Sequence, residues 1–291
     1  MVKNDKKVKV AFLSIMSNSL LIILKLIAGI LSGSVSIISE AIHSSVDLIA
    51  AIVAFFSVRM SSKPADDLHP YGHGKIENIS GIIEGVLILL ASIMIIYEAV
   101  LKMFHPEEIR NDGLAIIVML VAAVVNFFVS RILYKVAKEE DSMALQADAL
   151  HLKTDVITSL GVGIGIILIK ITGINILDSI VAIIVAVMII KEAVELVKDG
   201  FDELLDRRLS DEEENEIKKV IDNNQDMFLD YHKLKTRKTG SMKHVDFHIT
   251  LKPNLTVEEA HNIMGNLKKS MNEKFKNIRV TIHIDPEKRK S

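Results

Sequence analysis

Six stretches of this chain, residues 10–31, 35–58, 79–101, 114–133, 145–171 and 176–197, are each long and apolar enough to cross a lipid bilayer. A hydrocarbon core takes roughly 20 apolar residues wound as a helix. Compact water-soluble proteins rarely bury so many such helices in series. The pattern therefore predicts an α-helical membrane protein, with six transmembrane helices joined by short connectors. The nine residues before the first stretch are polar and lysine-rich, and no small-residue cleavage site follows at the right distance. The first stretch thus reads as a retained membrane helix and not as a removed signal peptide.

Cations set the expected orientation. Lys3, Lys6, Lys7 and Lys9 precede the first stretch, Arg59, Lys63 and Lys75 flank the second connection, and Arg131, Lys135 and Lys138 flank the fourth. Lysine and arginine collect on the cytoplasmic side. Both termini of a multi-pass cell-membrane protein are accordingly expected in the cytoplasm, as an even number of spans requires.

Composition shifts after Val197, which divides the chain into a transmembrane transport domain over 1–200 and a cytoplasmic α+β domain over 201–291. In the second part Ser210 with Glu213, and Thr256 with Glu259, have the capping-box spacing that opens a helix. Residues 232–239, 243–251 and 278–284 read as strands. In the middle one Val245, Phe247, Ile249 and Leu251 alternate with His244, Asp246, His248 and Thr250. The order helix, strand, strand, helix, strand predicts helices packed on one face of a small sheet.

Several function classes are excluded early. There is no cysteine, hence no disulfide, no thiolate metal site and no soft Cu(I) chemistry. A net charge of −2 offers no basic excess for nucleic acid. Neither an HExxH pattern nor a GxxxxGK[ST] pattern occurs, so zinc peptidase chemistry and ATP-driven pumping are not expected, nor is enzymatic activity of another kind.

Two of the apolar stretches carry the same costly motif. The second reads Glu40-Ala41-Ile42-His43-Ser44-Ser45-Val46-Asp47, and the fifth reads Asp148-Ala149-Leu150-His151-Leu152-Lys153-Thr154-Asp155. Each His precedes its Asp by four residues, so the pair shares one helix face, one turn apart. Ionisable groups in hydrocarbon are expensive unless paired, hydrated or metal-bound, and two copies of one expensive pattern suggest a shared site. At ~1.5 Å per residue, one pair lies ~15 Å inward from the outer end of its span and the other ~12 Å outward from the inner end of its own. The sum of about 27 Å is close to a ~30 Å core, so the pairs can meet near the midplane. The two halves of three helices run in opposite senses, as in transporters built from inverted repeats. Two imidazoles and two carboxylates suit tetrahedral Zn2+. The carboxylates neutralise the ion, and protonated histidines can restore neutrality when it leaves, which suggests metal/proton exchange.

At these residues the chain resembles the cation diffusion facilitators. The matching pieces are Ser39-Glu40-Ala41-x-His43-x-x-x-Asp47, the run from Pro64 through Asp66, Asp67, His69, Tyr71, Gly72, His73, Gly74 and Lys75 to Glu77, the span-five motif, and the tail ending His283-x-Asp285-Pro286. The resemblance implies a homodimeric antiporter that exports Zn2+ or a similar divalent ion in exchange for protons, without ATP or an organic cofactor. It also implies a cytoplasmic ferredoxin-like domain related to metallochaperones. Its transport site falls on His43, Asp47, His151 and Asp155. Relatives with Asp at the first His are broader toward Cd2+ and those without the span-five His lean toward Mn2+, so His at both 43 and 151 favours zinc, with Cd2+, Co2+ or Fe2+ as the alternative ion.

Two further sites follow from the resemblance. In the loop between the second and third spans it places a metal on Asp66, His69 and His73, where spacing alone does not separate a metal site from a solvated turn at Pro64, Pro70 and Gly72. In the tail it suggests zinc held by His232, His248, His283 and Asp285, with His261 reaching across a dimer, in a structural or regulatory role. It also implies an ion pair joining Lys75 and Asp206 near the dimer centre. Lys25, alone inside the first span, is expected to snorkel or to face the bundle interior. Gly161, Gly163 and Gly165 are expected at a close helix contact, and His105 and His244 are given no role.

Overall fold

The structure, a computed structural model of the chain, describes residues 4–33, 35–104, 113–174 and 176–287. His105, the side chains of Glu40 and His43, and the surroundings of Gly165 lie outside what it describes. Two compact units result, 1–201 and 202–291.

The first unit contains six long helices: α1 (Asn4–Ser32), α2 (Val35–Ser61), α3 (Lys75–Phe104), α4 (Gly113–Glu140), α5 (Met143–Thr172) and α6 (Ile176–Leu204). Each runs past the apolar stretch that predicts it, because the polar flanks remain helical. Among the described residues three stretches, Lys6–Leu31, Lys75–Phe104 and Ile117–Glu140, meet the length and apolarity needed to cross a membrane.

The distribution of side chains in this unit is the reverse of a water-soluble core. Phe56, Leu90, Ile93, Phe128, Ile167 and Met188 are exposed, while Ser14, Asn18, Lys25, Asp47, Glu77, Glu84 and Asp148 are buried. Apolar surface on this scale is stable against lipid and unstable against water, and buried charges in such a setting mark function. Small residues let the helices approach. A Cβ on Gly81 of α3 would meet Met143 Cγ at 2.7 Å, and one on Gly85 would meet Val197 Cγ2 of α6 at 2.7 Å. Of the span-five glycines, Gly161 does sit at a close contact, where a Cβ would come to 3.0 Å from Val185 Cγ2. Gly163 faces open space, contrary to the expectation for it. The Ser130 hydroxyl on α4 donates to the Ala149 carbonyl at 2.8 Å and ties α4 to α5.

The second unit follows the expected order: α7 (Asp211–Asp222), β1 (Asp230–Thr239), β2 (Met242–Leu251), α8 (Val257–Lys274) and β3 (Ile278–Pro286). Both capping boxes are present, with Ser210 and Thr256 each accepting from the backbone N–H three residues on and the glutamates reaching back. β1 pairs antiparallel with β2, β2 pairs parallel with β3, and α8 makes the crossover. Val245, Phe247, Ile249 and Leu251 point into a core shared with Ile217 and Ile221 of α7 and Leu267 and Met271 of α8. His244 departs from the alternation. It is only 4% exposed, although it lies on the face opposite these core residues.

Candidate metal centre

α2 and α5 bring their motifs together. His151 Nε2 lies 3.0 Å from Asp47 Oδ1, and one donor atom from each of Asp47, His151 and Asp155 falls within 4.8 Å of the others. Tetrahedral zinc with bonds of about 2.0–2.2 Å sets its ligands ~3.3–3.6 Å apart, so the cluster can close on an ion with small rotamer changes. Asp47 is buried and His151 and Asp155 are half-buried. Asn126 Nδ2 of α4 donates to Asp155 Oδ2 at 3.3 Å, fixing a carboxylate that the motif already supplied. His43 stands one helical turn before Asp47, and its side chain is outside the described set.

Around this centre, polar groups that hydropathy averaging conceals are also buried. Lys25 faces the interior and donates to Ser44 Oγ at 2.8 Å. Ser14 donates to Asp148 Oδ1 at 3.1 Å. Near the start of α3, Glu77 accepts from Lys7 Nζ at 2.6 Å and also from the hydroxyls of Ser61 and Ser142, so one carboxylate links α1, α2, α3 and the entry to α5. Sequence reasoning counted Lys7 only among the orienting cations and did not single out Glu84 or Asn126. The available signal was a polar residue inside an apolar run, spaced by whole turns from another: Glu77 and Glu84 are seven apart.

The loop residues also converge, with one donor atom from each of Asp66, His69 and His73 within 4.8 Å of the others. Asp66 Oδ1 accepts from the backbone N–H of Leu68 at 3.1 Å and of His69 at 2.7 Å, an Asx-type turn that Pro64 and Pro70 flank. His69 Nδ1 is 3.1 Å from Asp66 Oδ1, His73 Nε2 is 3.4 Å from Oδ2, and the two rings lie 4.4 Å apart. The backbone N–H of His69, with the two imidazoles, holds the Asp66 carboxyl below its usual range. It stays a charged donor well into acid.

In the second unit a row of histidines crosses the sheet, with His232 opposite His248 and His248 opposite His283. A bulge makes this possible. The register shifts by one between His232 and Lys235, where Lys233 takes φ 55. If the same residues paired regularly with no bulge, His232 would fall opposite Ile249 and point into the core, because a one-residue slip reverses a strand's faces. Asp285 Oδ2 accepts from His232 Nε2 and from His248 Nδ1, each at 3.0 Å. His248 first, and His232 after it, hold the Asp285 carboxyl below its ordinary value. His232, His248 and Asp285 form the converging group. His283 lies against His248, with ring centroids 4.7 Å apart and planes tilted by 44°, but is not part of the converging group. His261 is exposed on α8 and is not among the converging donors. Asp206 accepts from Arg237 at 3.1 Å within its own unit.

An apolar-surfaced helical unit with carboxylates and the His151 imidazole in its interior, followed by a small α+β unit, defines a membrane protein organised around cation chemistry. Residues 11–205 match the cation efflux transmembrane domain and residues 209–287 match the cation efflux protein cytoplasmic domain. The chain belongs to the cation diffusion facilitator family of membrane-embedded cation efflux transporters. It is 34% identical to the uncharacterized transporter sll1263 of Synechocystis sp., over 90% of this chain and 85% of the relative. It is 30% identical to the cation-efflux pump FieF of Shewanella oneidensis, over 91% and 89%. It is also 30% identical to the manganese efflux system protein MneP of Bacillus subtilis, over 96% and 95%.

Proposed function

We propose that this transporter exports Zn2+ from the cytoplasm in exchange for protons, as a homodimer with six membrane spans and both termini cytoplasmic. One observation carries the reading: Asp47, His151 and Asp155 converge from two helices inside a bundle whose outer surface is apolar. Two carboxylates cancel the charge of a divalent ion, and the loaded centre tolerates the low dielectric of the membrane. Imidazole favours zinc over the harder ions, and a histidine at position 43, one turn from Asp47, would complete a four-ligand set. Histidines titrate near neutrality, which allows protons to replace the departing ion.

The tail and loop clusters are ligand sets of a second kind, exposed or half-exposed, and suit zinc in a structural or regulatory role. The tail is read as ferredoxin-like and as the dimerisation domain, with His261 reaching a second copy. Transport, and not enzymatic turnover, is the activity assigned. The test is Zn2+ flux into proteoliposomes under an imposed pH gradient, with Cd2+, Co2+, Fe2+ and Mn2+ as competitors; Mn2+ is included because of the name MneP carries. Zinc flux that the gradient does not accelerate would defeat the antiport reading. Flux dominated by another ion would defeat the zinc assignment.

A further inference from the structure

Three helices of the first unit carry buried polar residues that the centre described above does not use. These are Ser14 and Asn18 on α1, Ser80 and Glu84 on α3, and Asp148 on α5. Residues four apart share a helix face, so Ser14 with Asn18, and Ser80 with Glu84, each form a one-turn stripe. α3 and α5 approach closely at Gly81 and Met143. Further along, Ile88 and Leu150 belong to one packed cluster, so the two helices run in the same direction. Glu84 lies about 4.5 Å along α3 from Gly81, and Asp148 about 7.5 Å along α5 from Met143. The two carboxylates therefore occupy neighbouring levels of the same interface, within electrostatic range of each other, and Glu84 is within range of His151.

Their oxygens are only partly satisfied. Asp148 Oδ1 accepts from Ser14, but Asp148 Oδ2 and Glu84 Oε1 have no hydrogen-bond partner among the described residues, and neither do Ser80 Oγ and Asn18 Nδ2. Glu84 is 4% exposed and Asp148 1%. A buried carboxylate oxygen without a donor is costly, and two on adjoining helices double the cost. A divalent cation answers both at once, since two carboxylates cancel its charge and oxygen donors are what a hard ion takes.

The geometry points to a second cation site on Glu84 and Asp148, beside the Ser14 hydroxyl, one turn from His151 on the α5 N-terminal side. This rests on the export reading, under which an ion from the cytoplasm reaches the oxygen site before the imidazole-containing centre. An all-oxygen set holds Zn2+ less tightly than one with imidazoles. That is what a staging position needs, because conduction requires sites an ion can leave. Under this assignment Glu84 and Asp148 contact the transported ion in transit.

The test counts Zn2+ bound per chain at saturation, on the full-length protein in detergent. Four forms are compared: wild type, Asp155→Ala, Glu84→Gln with Asp148→Asn, and all three substitutions together. The loop and tail clusters are intact in all four and cancel in the differences. Adding the Glu84 and Asp148 substitutions is expected to remove about one Zn2+ per chain in both backgrounds, since both neutral amides lose charge-assisted affinity. An unchanged count overturns the proposal and leaves a shared proton as the occupant of the acid pair. Should Asp155→Ala alone lose no Zn2+, the reading of the central centre fails instead, whatever the acid pair does. If the double variant does not fold, Glu84→Gln alone is counted at about tenfold below the saturating concentration, where the same deficit supports the site and an unchanged count overturns it.

Discussion

Asp47 on α2 and His151 on α5 meet at 3.0 Å across 104 positions of sequence. The contact joins one copy of a repeated motif to the other, and it does so in the interior of an apolar-surfaced bundle. Under the exchange proposed above, an ion entering the pair would displace the proton that joins imidazole to carboxylate. Metal and proton would then compete for the same lone pairs, the minimum requirement for exchanging one against the other.

The carboxylate that completes the trio is expected to be indispensable, and its neighbour merely important. Asp155→Asn keeps the side-chain shape but removes one of two charges that offset the cation. Zinc flux in proteoliposomes should fall by more than the 10–100-fold typical of outer hydrogen-bonding partners. Asn126→Ala removes such a partner from Asp155, and a drop within that 10–100-fold range is expected. Equal losses for the two variants would argue that Asp155 is not a ligand.

How much of this could be seen in the sequence depended on periodicity. His43 with Asp47 and His151 with Asp155 repeat at helical spacing in apolar surroundings, so the centre could be placed by counting turns. The tail donors on β2 and β3 follow from strand alternation. His232 does not, because its face is set by the bulge at Lys233, and no alternation rule foretells an inserted residue. The burial of His244 was not legible for a related reason. Alternation gives the side of a sheet but not what covers that side, and the residue proves buried. Glu84 was invisible because one acid barely moves the average over a long apolar window. Its significance lies in which helix faces it.

The Lys7–Glu77 pair should be a stability element at the end of the bundle where α3 begins. Its charged atoms are 2.6 Å apart, with 8% and 3% of the two side chains exposed. Glu77→Ala leaves Lys7 buried and uncompensated and takes the acceptor from Ser61 and Ser142, a loss of about 3–5 kcal/mol for breaking a buried pair. Adding Lys7→Met to Glu77→Gln removes both charges and should recover part of that loss. Thermal unfolding in detergent measures both. A double variant no better than Glu77→Ala would mean that the charges themselves are not what matters there.

Acid should weaken the tail cluster in a definite window. The Asp285 carboxyl sits below its ordinary 3.8 because His248 and His232 donate to it. A lowered acid contributes stability that is complete above 3.8 and is lost as pH falls through its folded value. Asp285→Asn removes that dependence. It also takes a charged donor from the His232–His248–Asp285 group, so zinc affinity at the tail should drop at least ~10-fold at neutral pH. Zinc titration of the full-length protein at two pH values tests this, and unchanged affinity in the variant would exclude Asp285 as a ligand.

His244 offers a separate acid-sensitive element that involves no metal. The sheet register sets it between Arg237 on β1 and Arg279 on β3. Burial, and then these two guanidinium groups, push its imidazole below the ordinary 6.5, while Asp246 and Asp206 oppose them only in part. A base held below its ordinary value stays neutral in the folded protein while the unfolded chain takes up a proton. Stability is therefore complete above 6.5 and declines as pH falls from there toward the folded value. His244→Leu keeps the side chain large and apolar between the same neighbours and cannot charge. With a chelator present to silence the metal clusters, the difference in unfolding temperature between His244→Leu and the parent should move in favour of the variant from pH 7.5 to pH 5.5. A difference that stays constant across that interval would mean His244 protonates equally well in both states, and the two arginines would then have no electrostatic hold on it.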